Sequence, residues 1–259
     1  MKKRLLITLG CSLTEGIGCY DYSKMSTLKP YVELPESEYQ YQLNRFHELG
    51  WPNRLGKKLG YDKVINLGLG GSSTSGQSKQ FYEKYLNEHF SDYDVLVIWL
   101  LSDPSRISFY SNLQIINIMP GLPGAGLLER GYIGFIEDIK LDTFLEQLYY
   151  IKTIEQVCEN KGYNLLLAHS NKVFEIEMKK LYNSKYYFSG DIEDFFGDDM
   201  SKEEFISKVC PHPNEDGYEL LSQQMFDKIK ENHSYLINTS NETSFEWQWD
   251  GFPKDWSGL

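Results

Sequence analysis

Leu5-Leu6-Ile7-Thr8-Leu9-Gly10-Cys11-Ser12-Leu13-Thr14-Glu15-Gly16 decides the reading of this chain. The first half is a short apolar run of the kind that forms a buried strand, and the run stops at a glycine. A serine follows almost at once. In a parallel sheet its hydroxyl emerges at the carboxyl ends of the strands, the edge where open α/β sheets hold their ligands. Near the other end of the chain, Pro211-His212-Pro213-Asn214 opens a helical pattern. A nucleophile and its base must be neighbours in space and not in sequence, so His212 is a candidate to take the Ser12 proton.

Two further apolar runs reach the same edge. Lys63-Val64-Ile65-Asn66-Leu67 leads into Gly68-Leu69-Gly70-Gly71-Ser72-Ser73, a glycine-rich turn whose N–H groups suit a developing oxyanion. Asp94-Val95-Leu96-Val97-Ile98-Trp99 delivers Ser102, Asp103 and Arg106. Helical periodicity fills the intervals, with Trp51-Pro52 opening a helix that Gly60 closes and Phe81, Tyr85 and Leu86 at helical spacing over 77–88. A long helix spans 139–161, a fourth strand 163–169, and a last helix 214–232 carries Leu220, Leu221, Met225 and Ile229 on one stripe. Strands alternating with helices predict a three-layer α/β/α sandwich around a parallel, flavodoxin-like sheet of about five strands.

These blocks, in this order, resemble the SGNH (GDSL-like) hydrolase family over about residues 4–230. The resemblance implies that Ser12 is the nucleophile, His212 the base and Gly71 an oxyanion-hole residue. It also places Ser102 where the family has an oxyanion-hole asparagine. The implied activity is that of a serine ester hydrolase acting on a small or carbohydrate-linked acyl ester, with no metal or organic cofactor. Three positions depart from the family pattern. Cys11 replaces the aspartate of Gly-Asp-Ser, Ser102 replaces the asparagine, and Val209 stands where the acid that orients the histidine is expected, three residues before it. Cys210 cannot fill that role either. Asp194, Asp198, Asp199, Glu203, Glu204 and a backbone carbonyl are the alternatives.

Composition narrows the classes further. The chain has 259 residues and a net charge of −11, which fits one domain and opposes nucleic acid and anionic membranes as partners. The apolar run after Met1-Lys2-Lys3-Arg4 is too short for a signal peptide, so the expected location is the cytoplasm, with a virion component as a variant. Four cysteines, Cys11, Cys19, Cys158 and Cys210, form no disulfide framework or strong zinc pattern. Gly68-Leu69-Gly70-Gly71 is a weak dinucleotide motif, because the third glycine position is Ser73.

Residues 1–232 are expected to form the hydrolase domain, with loop or lid insertions at 103–135 and 170–208. Residues 13–49 read as irregular with one short helix. The tail, 233–259, holds Trp247, Trp249 and Trp256 and is expected to pack on its own sheet edge, with self-association as the variant. His169 at a strand end is a candidate pocket residue, and Asp103 and Arg106 are candidates to bind a substrate group. The competing functional reading is a noncatalytic carbohydrate-binding or structural module on the same scaffold.

Overall fold

Alternation along the strands sets the architecture. In β1 (Lys3–Gly10), Leu5, Ile7 and Leu9 join one apolar cluster while Leu6 joins another, because successive side chains leave opposite faces of a strand. The same division holds in β3 (Tyr93–Leu101), where Val95, Val97, Trp99 and Leu101 face one way and Leu96, Ile98 and Leu100 the other. Both faces are buried, so helices must cover both, and the result is three layers. The computed structural model describes residues 2–85, 90–102, 106–111, 114–118, 140–169, 172–188, 203–238 and 245–249.

Four strands lie in the order β2 (Lys63–Gly68), β1, β3, β6 (Asn164–His169), every pair parallel. The chain therefore leaves β1 towards one side and β2 towards the other, which opens a crevice at the carboxyl end of β1. Helices α2 (Glu36–Leu49), α3 (Trp51–Leu59) and α7 (Glu215–Asn232) cover the face of Leu6, contributing Phe46, Trp51, Leu55, Tyr218 and Met225. Helices α4 (Thr74–Tyr85), α5 (Lys140–Lys161) and α6 (Lys172–Leu181) cover the other face with Phe81, Ile151, Ile154, Cys158 and Met178.

Local chemistry explains the helix ends. Pro52 sits in the first turn of α3, and Gly60 closes it in the left-handed conformation, donating back to Gly56 and Lys57. Asn214 caps α7 by accepting from Gly217 N–H at 2.9 Å. Ser73 Oγ accepts from Gly76 N–H at 3.1 Å, so α4 begins three residues earlier than its apolar spacing indicates. Charge fixes α7 to its neighbours. Glu219 meets Arg54 at 2.5 Å and Lys58 at 2.7 Å, and Glu215 meets Arg45 at 2.8 Å.

Several elements differ from the sequence reading. The segment before Leu49 holds the 14-residue α2, preceded by 3₁₀ turns at Tyr22–Lys24 and Tyr31–Glu33. The expected loop at 103–135 contains an antiparallel hairpin, β4 (Ile107–Ser111) with β5 (Gln114–Ile118), and the rest of it from 119 lies outside the described residues. Within 170–208, α6 and a 3₁₀ turn at Glu203–Phe205 are regular, while 189–202 lie outside the described residues. The tail lies on its own sheet edge, as expected, and does so as a strand, β7 (Glu246–Trp249), which pairs in parallel with β2 as the fifth strand. Beyond β6, the place a flavodoxin-like order gives to its last strand, Leu167 makes a single parallel bridge to Tyr187. Trp256 lies outside the described residues. Among the described residues no helix is long and apolar enough to cross a membrane.

Two histidines are buried in this frame. His169 is 3 % exposed and burial pulls its imidazole down to about 3, while burial also lowers His47, against the opposing pull of Glu15. Native imidazoles that resist protonation make the unfolded chain the better proton binder, so stability rises with pH between about 3 and about 6.5. Chemical denaturation at pH 7.5, 5.5 and 4.5 should show progressive loss. Replacing His169 with Gln should flatten the slope.

Candidate active site

Ser12 is the first residue of α1 (Ser12–Glu15), a single turn that Cys11 precedes and Gly16 closes. The turn is tight: Cys11 C=O accepts from Thr14 and Glu15 at 2.9 Å, and Ser12 C=O accepts from Gly16 and Ile17 at 3.1 Å. A buried amide locks it to the sheet. Asn66 lies opposite Thr8 in the β1–β2 register, donates to Thr14 C=O at 2.8 Å and accepts from Gly68 N–H at 2.8 Å. Its side-chain oxygen also takes the Thr8 hydroxyl at 3.3 Å. One side chain thus joins β1, β2 and the serine turn.

His212 reaches Ser12 from a loop built for the purpose. Its carbonyl accepts from Ser207 N–H at 2.8 Å, Ile206 bridges Pro213, and Asn214 Nδ2 donates to Glu204 C=O at 2.6 Å. Gly18, at φ +123°, lies under this loop. A Cβ there would run into Pro213 C=O and come within 3.1 Å of His212 Cβ. Tyr218 on α7 adds a buried bond, its hydroxyl donating to Ile17 C=O at 2.9 Å. His212 Nε2 then stands 2.9 Å from Ser12 Oγ, across about 200 residues of chain. Burial, and secondly the charge of Arg106, lower His212 to about 4. The imidazole is neutral at pH 7, and a neutral Nε2 can accept the Ser12 proton.

The orienting acid has no counterpart among the described residues. His212 Nδ1 is buried and without a hydrogen-bond partner there. Asp194, Asp198 and Asp199 lie outside the described residues, as does the Glu203 side chain, and Glu204 is exposed. Val209 and Cys210 pack at the edge of the core.

The glycine turn is tied onto the end of β1. Leu69 N–H donates to Gly10 C=O at 3.1 Å and Ser72 Oγ to the same oxygen at 3.2 Å, two residues before Ser12. Gly71 holds φ +76°, which a side chain would oppose. Glu15 supports the turn from behind. It is 3 % exposed, accepts from Gly70 N–H at 2.6 Å, and lies 3.8 Å from His47 Nε2, an ion pair only when the imidazole is protonated.

Ser102 differs from its expected role. It is 1 % exposed, its hydroxyl donates to Ser72 C=O at 2.9 Å, and it accepts from Gln77 Nε2 at 2.6 Å. A hydroxyl has one proton, and this one is already placed, so Ser102 braces the glycine turn and offers no oxyanion donor in this arrangement. Gln77 is the residue that sequence reading missed. Fully buried, it also donates to Ser72 and accepts from Trp99 Nε1 at 2.7 Å, joining the turn to β3.

The remaining candidates divide. His169 stacks on Tyr187 at the end of β6, with Nε2 3.5 Å from its hydroxyl, and makes no described contact with Ser12 or His212. Asp103 lies outside the described residues, whereas Arg106 is half-buried beyond the carboxyl end of β3. Burial pushes Cys19 and Cys158 up to about 12, so both are inert packing thiols. All four cysteines are free, and no group of three or more ligand side chains suited to a metal occurs among the described residues.

No protein-family model and no curated protein matches the sequence. Solved structures are similar to this chain. A family two carbohydrate esterase from Clostridium thermocellum, solved in complex with cellohexaose, is 11 % identical with a TM-score of 0.51, over 90 % of this chain and 66 % of that one. A protein from Desulfitobacterium hafniense DCB-2 described as lipolytic, of the G-D-S-L family, is 16 % identical with a TM-score of 0.48, over 87 % and 99 %. An acetyl xylan esterase, Est2A, from the rumen bacterium Butyrivibrio proteoclasticus is 10 % identical with a TM-score of 0.48, over 91 % and 66 %.

The bonds that bring the two chain ends together can be weighed separately. Tyr218→Phe should cost about 1–2 kcal/mol in denaturant unfolding, the loss of one buried hydrogen bond with its acceptor left unpaired. Gly18→Ala should cost more, since strain and collision add, and the loop carrying His212 must shift.

Proposed function

Starting from an SGNH-like hydrolase fold, we propose that this chain is a serine ester hydrolase in which Ser12 is the nucleophile and His212 the general base. The observation that carries the reading is the 2.9 Å contact between Ser12 Oγ and His212 Nε2 at the carboxyl edge of a parallel sheet. Ser12 Oγ attacks the ester carbonyl carbon as its proton passes to Nε2, and the carbonyl oxygen becomes an oxyanion. Its donors are the N–H groups of Ser12 and Gly71, neither of which has an acceptor among the described residues. Collapse breaks the bond to the alcohol, which leaves with the proton from His212. Water then gives a proton to His212, attacks the acyl-serine and releases the acid, and Ser12 recovers its proton.

A base held near 4 has a cost and a use. It is a weak base, so each proton transfer to it is uphill, yet it is fully in the accepting form throughout the neutral range. With no described partner at Nδ1, the imidazolium must be stabilised by the substrate complex itself. An acylated carbohydrate is the first substrate class to try, because a carbohydrate esterase solved with cellohexaose has a similar fold. The buried Nδ1 without an acid favours the second reading, a noncatalytic binding module.

Activity-based labelling separates them. A fluorophosphonate should label the wild type on Ser12 and leave Ser12→Ala unlabelled, and Ser12→Ala or His212→Gln should lose about 10³-fold or more in kcat/KM on a short-chain aryl ester. An unlabelled wild type, or equal turnover by Ser12→Ala, selects the binding module. Protonation of His212 removes the acceptor, so kcat/KM should climb as pH rises through about 4 and level off by about 6. Initial rates between pH 3.5 and 8 give the profile.

A further inference from the structure

Arginine is seldom left without an acceptor in a protein this acidic. Four arginines lie in the described residues, and three are matched: Arg4 to Asp94 at 3.8 Å, Arg45 to Glu215 at 2.8 Å and Arg54 to Glu219 at 2.5 Å. Arg106 is the exception. Its Nη1 is buried and makes no hydrogen bond among the described residues, and no described carboxylate pairs with it. The sequence holds 37 Asp and Glu, so the exception is not for want of anions. A guanidinium nitrogen shielded from water and denied an acceptor is unfavourable unless some ligand supplies one.

Its place in the fold says what that ligand accompanies. Arg106 lies just beyond Ser102, between the carboxyl end of β3 and the start of β4. β3 is paired with β1, the strand that ends at Ser12, so Arg106 belongs to the rim of the same crevice. We propose that Arg106 binds an anionic group of the substrate, so that the preferred esters carry a carboxylate besides the ester that is cleaved. The proposal rests on the ester-hydrolase reading above and names its substrate class. The fork of the guanidinium matches a carboxylate, and an anion there removes an electrostatic handicap. A lone cation opposes the charge His212 must acquire during attack, as its effect on that imidazole shows. A bound carboxylate cancels that opposition, so the right substrate activates the base it needs.

Two matched pairs of esters test this. Mono-4-nitrophenyl adipate against 4-nitrophenyl hexanoate places the carboxylate on the acyl side, and 4-acetoxybenzoate against its methyl ester places it on the alcohol side. The wild type should favour the anionic member of at least one pair by about tenfold or more in kcat/KM. Arg106→Gln should erase that preference by lowering kcat/KM on the anionic ester and raising it on the neutral one, since the cation that opposes the His212 charge is gone, and Arg106→Lys should restore part of the preference. Absence of a preference in both pairs overturns the proposal. So does an equal fall on both members in Arg106→Gln, which would make Arg106 an oxyanion donor. Calorimetric binding of monomethyl adipate and methyl hexanoate to Ser12→Ala, with and without Arg106→Gln, is independent of turnover. Charge-selective binding that needs Arg106, in a protein whose wild type takes no fluorophosphonate, upholds the anion site and removes the hydrolase. Labelling on Ser12 with no charge selectivity in rate or binding does the reverse.

Discussion

The buried side chain of Asn66 is the constraint on which the site depends. Its amide donates to Thr14 C=O while its oxygen accepts from Gly68 N–H and Thr8, so the serine turn and both flanking strand ends are held by one residue 1 % exposed. Leaving any of those groups unpaired in the core would be costly, which gives the amide leverage over the geometry around it. Gly10 C=O, taken by Leu69 and Ser72, brings the glycine turn to the same place. Gln77 and Ser102 extend the network to β3. The crevice is thus floored by polar groups that satisfy one another, and the hydroxyl of Ser12 is directed at His212.

That rigidity contrasts with the electrostatics above it. The imidazole is desolvated, feels the charge of Arg106 and has no hydrogen-bond partner at Nδ1 among the described residues, all of which disfavour the imidazolium. In a serine hydrolase with an orienting carboxylate the protein itself stabilises that charge. On the proposed reading the stabilisation arrives with the ligand, and discrimination between substrates and catalysis become one electrostatic event.

The core strands were legible because each is a short apolar run that halts at glycine or a small residue, and the ends of the chain signalled Ser12 and His212, whose side chains stand 2.9 Å apart. Other features depend on packing that no local pattern encodes. The proton of Ser102 is directed by Ser72 and Gln77, whose positions follow from α4 lying over β3. The length of α2 was obscured because Glu36–Leu49 is largely polar, with only Gln42, Leu43, Phe46 and His47 buried. Strand β7 was hidden in a polar tail: Glu246-Trp247-Gln248-Trp249 is four residues long, and Trp247 is 39 % exposed, so no continuous apolar run announces it. Gly18 carries no signal of its own, since what it accommodates is the backbone of a loop near the opposite end of the chain.

The pairing of β7 with β2 has a consequence for biogenesis. Lys63 and its partner Glu246 are far apart in the polypeptide, so during synthesis the flank of β2 that faces away from β1 waits unpaired until Glu246–Trp249 has left the ribosome. An unfinished β2 flank is a template for intermolecular association, and the nascent chain is most vulnerable to it in that interval. The same delay applies to Ser12, whose imidazole partner also emerges late, so a product truncated before His212 would have neither the fifth strand nor the Ser12–His212 contact.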